Sequence, residues 1–383
     1  MKKLLGLFTL SLFAFALIGC GGETTTQSTT ASTTASTTAS TTASTTETQG
    51  FEIALVTDVG NIDDKSFNEG SWNGVVQFAE ANGKTYAYYR PTEDSNAARI
   101  EAIEAAINNG AKIVVCPGFM FETAIHTVQS QYPNVHFLLL DGVPHPGDFT
   151  NFETTDNTHN VLYQEEQAGF LAGYAAVMDG HRELGFVGGM DVPAVIRFGF
   201  GFVQGAEYAA EELGLSAGAV NIKYHYAGVF WPDPDLETKM DLWYAMGTEI
   251  VFACGGALYV SVVAAAERAD GLVIGVDVDQ KAESDLIITS AMKGLTVSVA
   301  DALAAFYANE MAWPASMAGQ TAVLGAENDG IGLPTNTEAW RFDSFTVAQY
   351  NTIFDKLADG TIVVNPAIDA NPTVTLVTVN YGA

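Results

Sequence analysis

The chain has 383 residues, with 45 acidic against 16 basic side chains, a formal charge of −29 and a pI near 4.2. Nucleic acid and anionic lipid headgroups repel such a surface, so both are disfavoured as direct partners of the folded body. Hydrophobic residues make up 48% of the chain, and the roughly 330 residues from Phe51 onward are enough for two domains with separate cores.

Two lysines after Met1 precede the apolar run LLGLFTLSLFAFALIG, which is short and N-terminal and reads as a secretory signal over residues 1–19. Leu17-Ile18-Gly19-Cys20 has the bacterial lipobox form, which predicts cleavage before Cys20 and a thioether-linked diacylglycerol on its thiol. The alternative is an ordinary signal peptide with an incidental cysteine. The diacylglycerol plus an amide-linked chain meets the two-anchor condition for stable attachment, which places the protein at the cell membrane on its extracytoplasmic face. Residues 20–50 follow as a lipidated cysteine and a tether of Ser, Thr and Ala, repeating STTA, with nothing large enough for a core. Cys116 and Cys254 each end an apolar run, KIVVC and EIVFAC, in corresponding places of two halves, and read as buried small hydrophobes rather than a disulfide.

From Phe51 apolar runs alternate with helix-period segments. FEIALVTD precedes a helix from Ser66, TYAYYR a helix from Ser95, KIVVCPG a helix near Phe121, and HFLLLDG follows. A helix is expected from Val161 to Met178. The pattern then restarts with ELGFVGGMD, a helix over 195–213, VNIKYHYAG, a helix over 236–246, EIVFACGG, a helix over 260–269 and LVIGVDVDQ. IITSAMKG, a helix from Ala300 to Trp313, AVLGAENDGIGL and a helix ending near Asp359 close the chain. This is the signature of parallel sheets with crossover helices, an α/β class with two Rossmann-like lobes in tandem. The expected division is lobe 1 over 51–160 plus part of the C-terminal region, lobe 2 over 161–290, and crossover elements shared between lobes over 291–383.

Ligands of open parallel sheets bind beyond the carboxyl ends of the strands. Here those ends are Asp58, Gly118, Asp141, Gly189 with Asp191, Gly255 with Gly256, and Asp277 with Asp279. Facing lobes would bring them to one interdomain cleft. A nucleotide site needs a phosphate cradle, yet GxGxxG and GxxxxGK[ST] follow no strand, and carboxylates crowd the first turn. Asp277 and Asp279 share a strand face, but the other EF-hand positions are missing and the six histidines show neither HxxxH nor HExxH spacing. No metal or cofactor is therefore expected. No GxSxG elbow is present, so hydrolysis has no nucleophile and the protein reads as a non-enzyme. What remains is a polar neutral molecule, whose hydroxyls and ring N–H groups carboxylates accept and whose flat faces aromatic rings cover.

TDVGNIDDKSFNEGSWNG, GFVGGMDVPAVIRFGFGF, IGVDVDQ, ITSAMKG and ENDGIGL, in this order and spacing, resemble the basic membrane protein (BMP) family of substrate-binding lipoproteins, whose relatives include purine nucleoside receptors. The likeness runs from Phe51 to the C-terminal strand. It implies a type I periplasmic-binding-protein fold whose lobes close on a nucleoside and deliver it to the permease and ATPase subunits of an ABC importer. By matched motif, Asp58 and Asp141 hydrogen-bond the purine ring and Phe67 stacks on one face. The opposite face falls to Phe230 or Trp231, because VFWPDP carries extra residues relative to the family's SF-x-DP. Asp277 and Lys293 hold the ribose hydroxyls, with the lysine neutralising a carboxylate. Gly118-Phe119 and Gly255-Gly256 let backbone approach the ligand, and Asn68 supports the site. Asp63 and Asp64 read as turn and cap residues. The expected function is capture of nucleosides, purine by the likeness and unphosphorylated because no anion cradle is present. The alternatives are a sugar or autoinducer receptor, a ligand-sensing lipoprotein, or an extracellular nucleoside hydrolase.

Overall fold

The computed structural model describes residues 50–383. The expected leader, Cys20 and nearly all of the tether lie outside the described residues.

The chain first lays down β1 (Ile53–Val56), α1 (Phe67–Asn82), β2 (Tyr86–Tyr89), α2 (Asn96–Asn108), β3 (Ile113–Pro117), α3 (Glu122–Gln131), β4 (His136–Leu140) and β5 (Thr158–Tyr163). It continues with α4 (Glu165–Met178), β6 (Glu183–Gly188), α5 (Pro193–Glu212), β7 (Val220–Tyr226), α6 (Pro234–Ala245), β8 (Ile250–Cys254), α7 (Tyr259–Ala269), β9 (Leu272–Asp277) and β10 (Ile287–Lys293). Last come α8 (Leu295–Ala308), β11 (Thr321–Leu324), β12 (Ile331–Gly332), α9 (Val347–Ala358) and β13 (Val377–Asn380).

One sheet has the order β11-β5-β4-β3-β1-β2 and the other β12-β10-β9-β8-β6-β7-β13. Within them β2-β1-β3-β4-β5 and β7-β6-β8-β9-β10 follow the same winding, so the two lobes repeat one plan. Every strand pairing is parallel except β10 with β12. Helices cover both faces of such a sheet, which is why β1, β3 and β8 are buried at every residue and read as continuous apolar runs rather than alternating ones. The expected α/β class with two tandem parallel-sheet lobes is what the structure has. Cys116, one residue before the end of β3, and Cys254, the last residue of β8, are free, buried thiols on equivalent strands of the two windings.

Two element readings change. Val161 to Tyr163 belong to strand β5, and the helix starts only after Gln164. The stretch pairs with β4 on one side and β11 on the other, a tertiary constraint that outweighs local helix propensity. The eighth helix begins earlier than expected and stops at Ala308. Trp313 lies beyond it, buried, with its indole N–H donating to the Asn157 carbonyl at 3.1 Å.

The chain passes between sheets at Gln164, at Gly294 and over 325–330, and these crossings lie side by side. Gln164 N donates to Leu324 O (2.8 Å) and Gly294 N to Gly330 O (2.9 Å). Two packing contacts frame them. α8 returns to the first lobe, where Thr296 Oγ1 donates to Gly70 O at 2.9 Å on α1. α4 is apolar almost all round and buried, and it meets α5 backbone to backbone. A Cβ on Gly173 would lie 2.0 Å from Phe202 O, and one on Gly201 would lie 2.1 Å from Glu166 O. Only glycine permits that approach. Gly173→Ala should therefore destabilise the folded protein by about 1–3 kcal/mol in urea unfolding, an overpacking cost with no flexible side chain to yield.

Candidate functional site

A cavity of about 300 Å³ opens between the lobes, within the size range of small-molecule sites. Its first-lobe wall contains Asp58, Phe67, Asn68, Gly118, Phe119 and Asp141; its second-lobe wall contains Phe230, Trp231, Gly255, Gly256, Asp277 and Lys293. All twelve residues singled out from sequence thus meet in one place. The wall also includes Asp63, Asp64, Arg90, Val192, Ala194, Val195 and Phe198. Sequence reading passed over the last four, because the start of α5 gives no signal of facing a cleft until the lobes are assembled.

The acidic turn after β1 resolves into separate jobs. Asp64 accepts backbone N–H groups from Ser66 (2.9 Å), Asn68 (3.0 Å) and Glu69 (3.1 Å), so its carboxylate caps α1 and occupies the helix N-terminus that a phosphate would need. Buried Asn68 links the two acids: its amide donates to Asp58 Oδ1 (2.8 Å) and Asp64 Oδ2 (2.9 Å), and its Oδ1 accepts from Asp58 N (3.2 Å). Asp58 Oδ1 also accepts from Gly60 N (2.6 Å). A Cβ on Gly118 would lie 3.8 Å from Asp58 Oδ2, which makes none of these bonds. Asp58 is thereby fixed without being neutralised. Burial pushes its carboxyl up to about 6, partly offset by the Asn68 and Gly60 hydrogen bonds.

Asp141 and Asp277 follow or end β4 and β9, equivalent strands of the two windings, and both adopt left-handed backbone, with φ 57° and 66°. Gly118 and Gly255, after β3 and β8, share a positive φ of 114° and 144°. Aspartate tolerates that region better than most residues, and such strain concentrates at functional sites. The space left open at Gly255 and Gly256 is taken by Phe230. A Cβ on Gly255 would lie 2.8 Å from its ring, and one on Gly256 would lie 2.6 Å from its carbonyl oxygen. Phe230 is accordingly seated and half-buried, while Trp231 stands at the rim, 47% exposed.

Lys293 ends β10 with its side chain 2% exposed. Its ammonium pairs directly with Asp141 Oδ2 and lies 3.0 Å from Glu165 Oε1. Phe67, Tyr163 and Phe198 surround it with ring centroids at 4.9, 5.3 and 5.3 Å. Arg197 Nε donates to Glu165 Oε2 at 2.5 Å. Asp277 is tied instead to Ser66 across the cleft, accepting its hydroxyl at 2.5 Å. Lys293 was expected to neutralise a carboxylate, and the carboxylates it pairs with are those of Asp141 and Glu165. Glu165 was missed; the signal available was a pair of glutamates opening an otherwise apolar helix, EEQAGFLAGYAAVM.

Burial, partly countered by Lys293 and reinforced by Glu165 and Asp277, pushes Asp141 up to about 7. Burial also raises Asp277. Burial alone would raise Glu165, but Lys293 and Arg197 hold it below the usual carboxylate range. Burial works against the Lys293 ammonium, yet Asp141, Glu165 and Asp277 outweigh it and hold the group above the ordinary lysine range. One buried oxygen, Asp141 Oδ1, accepts no hydrogen bond. Among the described residues, no group of three or more His, Cys, Asp or Glu side chains is placed to hold a metal ion.

Two parallel-sheet lobes, linked by several crossings and lined at their facing strand ends by polar and aromatic side chains, define a cleft-type ligand-binding protein. Residues 51–364 match the family described as Bmp, ABC transporter substrate-binding protein PnrA-like, and the chain belongs to it. The ABC transporter nucleoside-binding protein BmpA of Lactococcus lactis is 25% identical over 271 residues, 65% of this chain and 72% of that protein. An uncharacterized lipoprotein of Pyrococcus abyssi is 25% identical over 342 residues, 86% of this chain and 75% of its own. In fold, the chain is similar to a crystal structure of an ABC transporter solute-binding protein from Aeropyrum pernix, with a TM-score of 0.65, 22% identity, and coverage of 82% of this chain and 87% of that one. The architecture is that of the type I periplasmic binding proteins.

The sign of one pH effect follows from Asp58. Its folded carboxyl titrates near 6 against about 4 in an unfolded chain, so its contribution to stability is complete below about pH 4 and is lost as pH rises through 6. Asp58→Asn should therefore raise the melting temperature of the ligand-free protein at pH 8 by a few degrees, by roughly half as much at pH 5, and hardly at all below pH 4, read by calorimetry or circular dichroism.

Proposed function

We propose that the protein captures unphosphorylated nucleosides, preferentially purine, in the interlobe cavity and presents them to the permease of an ABC importer. The observation that carries this reading is the composition of the cavity wall: seated aromatic rings beside acceptor-only carboxylates held in place by buried hydrogen bonds. Five carboxylates, those of Asp58, Asp63, Asp64, Asp141 and Asp277, stand against the cations of Arg90 and Lys293. Phosphate would meet that field unfavourably, whereas ring N–H groups and ribose hydroxyls donate into it.

In this reading Phe67 and Phe230 cover the two faces of the base. Phe230 is preferred over Trp231 because a ring already immobilised against glycine loses little freedom when a ligand stacks on it; Trp231 then closes the mouth. Asp58 and Asp141 accept from the base edge, which would satisfy the orphaned Asp141 Oδ1. Asp277 and Lys293 take the ribose hydroxyls, one as acceptor and the other as donor. The mechanism is binding and lobe closure, with no bond made or broken. The nucleoside-binding relative from Lactococcus supports the ligand class. The lipobox at Cys20 and the lipoprotein from Pyrococcus support an extracytoplasmic lipid anchor.

Calorimetric titration with adenosine, guanosine, inosine, uridine and ribose tests the ligand class. Heat with purine nucleosides and none with ribose is expected; tight binding of ribose, or silence with every nucleoside, overturns it. Asp277→Ala should abolish nucleoside binding while leaving the circular dichroism unchanged. Affinity should be weaker at pH 5 than at pH 7.5, because Asp58, titrating near 6, is then protonated and presents a donor where an acceptor is required. For the anchor, Cys20→Ser should release the protein from the membrane fraction and remove the acyl mass from its N-terminal peptide.

A further inference from the structure

The binding wall includes Lys293 and Asp141, but the residues that hold Lys293 from behind are not part of it. Glu165 is fully buried and Arg197 lies on α5, and neither faces the cavity. Their positions in the chain are informative. Lys293 is the last residue of β10, directly before the crossing at Gly294. Glu165 is the first residue of α4, directly after the crossing at Gln164. Asp141 belongs to the first lobe, while Arg197 is carried by α5 of the second. A single ammonium is therefore shared between carboxylates on the two sides of the hinge, and Lys293 itself and its second-lobe carboxylate, Glu165, both stand at points where the chain changes lobes.

The arrangement is also incompletely satisfied. Asp141 Oδ1 and Glu165 Oε1 are buried and accept no hydrogen bond, although Glu165 Oε1 is only 3.0 Å from Lys293 Nζ. A small change in lobe angle or the arrival of a donor would realign these groups, and buried, half-satisfied polar networks respond strongly to either. Arg197 is the fixed point. Its bond to Glu165 Oε2 is made within the second lobe, between α5 and α4, helices that meet backbone to backbone.

The geometry points to Glu165, oriented by Arg197, as the positioning residue that aims the Lys293 ammonium into the cavity and ties its placement to the lobe angle. Glu165 thus governs how well the site reads the hydroxyls of the sugar without touching them. This rests on the assignment of Lys293 to the ribose. In the structure Asp141 and Glu165 both draw on the ammonium. With ligand present, the donor facing the cavity goes to a ribose oxygen, Asp141 turns to the base, and Glu165 keeps the lysine in register.

The test compares the purine nucleoside that binds the wild type most tightly, among adenosine, guanosine and inosine, with its dideoxynucleoside lacking both vicinal ribose hydroxyls. Glu165→Gln preserves shape but presents an amide of no charge to the ammonium. It should weaken the parent nucleoside by about tenfold and the dideoxynucleoside little, so that discrimination between the two collapses. Arg197→Gln, one step further from the cavity, should shift discrimination in the same direction by less, and it serves as the second variant should Glu165→Gln fail to fold. Equal losses for both ligands, or no loss in either variant, overturn the positioning role while leaving nucleoside binding by the wild type in place. A wild type that binds no nucleoside removes the ligand reading itself, and this inference falls with it.

Discussion

A lysine ammonium held between two lobes, with its side chain 2% exposed, is the constraint around which the cleft is organised. Taking that charge out of water costs several kcal/mol, and only close anions repay it. Asp141 and Glu165 provide them, from opposite sides of the hinge. Each then faces the same difficulty: a buried carboxylate needs either a cation or hydrogen-bond donors. Each has one oxygen that accepts no hydrogen bond, but Glu165 is served by Arg197 as well as Lys293 and lies below the usual carboxylate range, whereas Asp141 is pushed up to about 7. Asp141 lines the cavity and Glu165 does not, which separates a carboxylate a ligand can reach from one that it cannot.

The same logic orders the rest of the wall. Asp64 is saturated by the N–H groups of α1, Asp58 is held on one oxygen and open on the other, and Asp277 is met across the cleft by Ser66. A site assembled in this way carries little preformed positive charge and several fixed acceptors. A molecule lacking donors would leave such acceptors unmet, a penalty larger than the gain from additional contacts. Rings seated on glycine add a flat apolar surface without much entropy to lose.

Repetition of one winding in both lobes explains why the site is nearly symmetric in kind. β3 and β8 each carry a buried cysteine at or next to their last residue and are followed by a glycine of positive φ, and β4 and β9 each lead to an aspartate in left-handed backbone. Facing the carboxyl ends of two such sheets produces a cavity lined by equivalent turns. The divergence lies in the first turn of each lobe: Asp58 and the Asn68-linked acids in one, Gly189 and the Phe230 shelf in the other. One lobe supplies Asp58, Asp141 and a ring, the other Asp277, a ring and the ammonium.

Much of this was legible in the chain. Continuous apolar runs ending in Asp or Gly specify buried parallel strands whose ends carry the chemistry, because period and burial are local consequences of composition. Asp58, Asp141 and Asp277 could be named for that reason, and Phe67 through its motif. What the sequence could not decide was whatever depends on two distant segments meeting. Strand β5 exists because β4 and β11 flank it, and its last three residues, Val161 to Tyr163, read alone as the start of a helix. Phe230 is distinguished from Trp231 by glycines far away in the chain, at 189 and 255–256, and Lys293 finds Glu165 because two hinge crossings lie side by side. Strand identity and residue chemistry are properties of a few neighbouring residues, while the partners of a buried charge are fixed only when the lobes close the space around it.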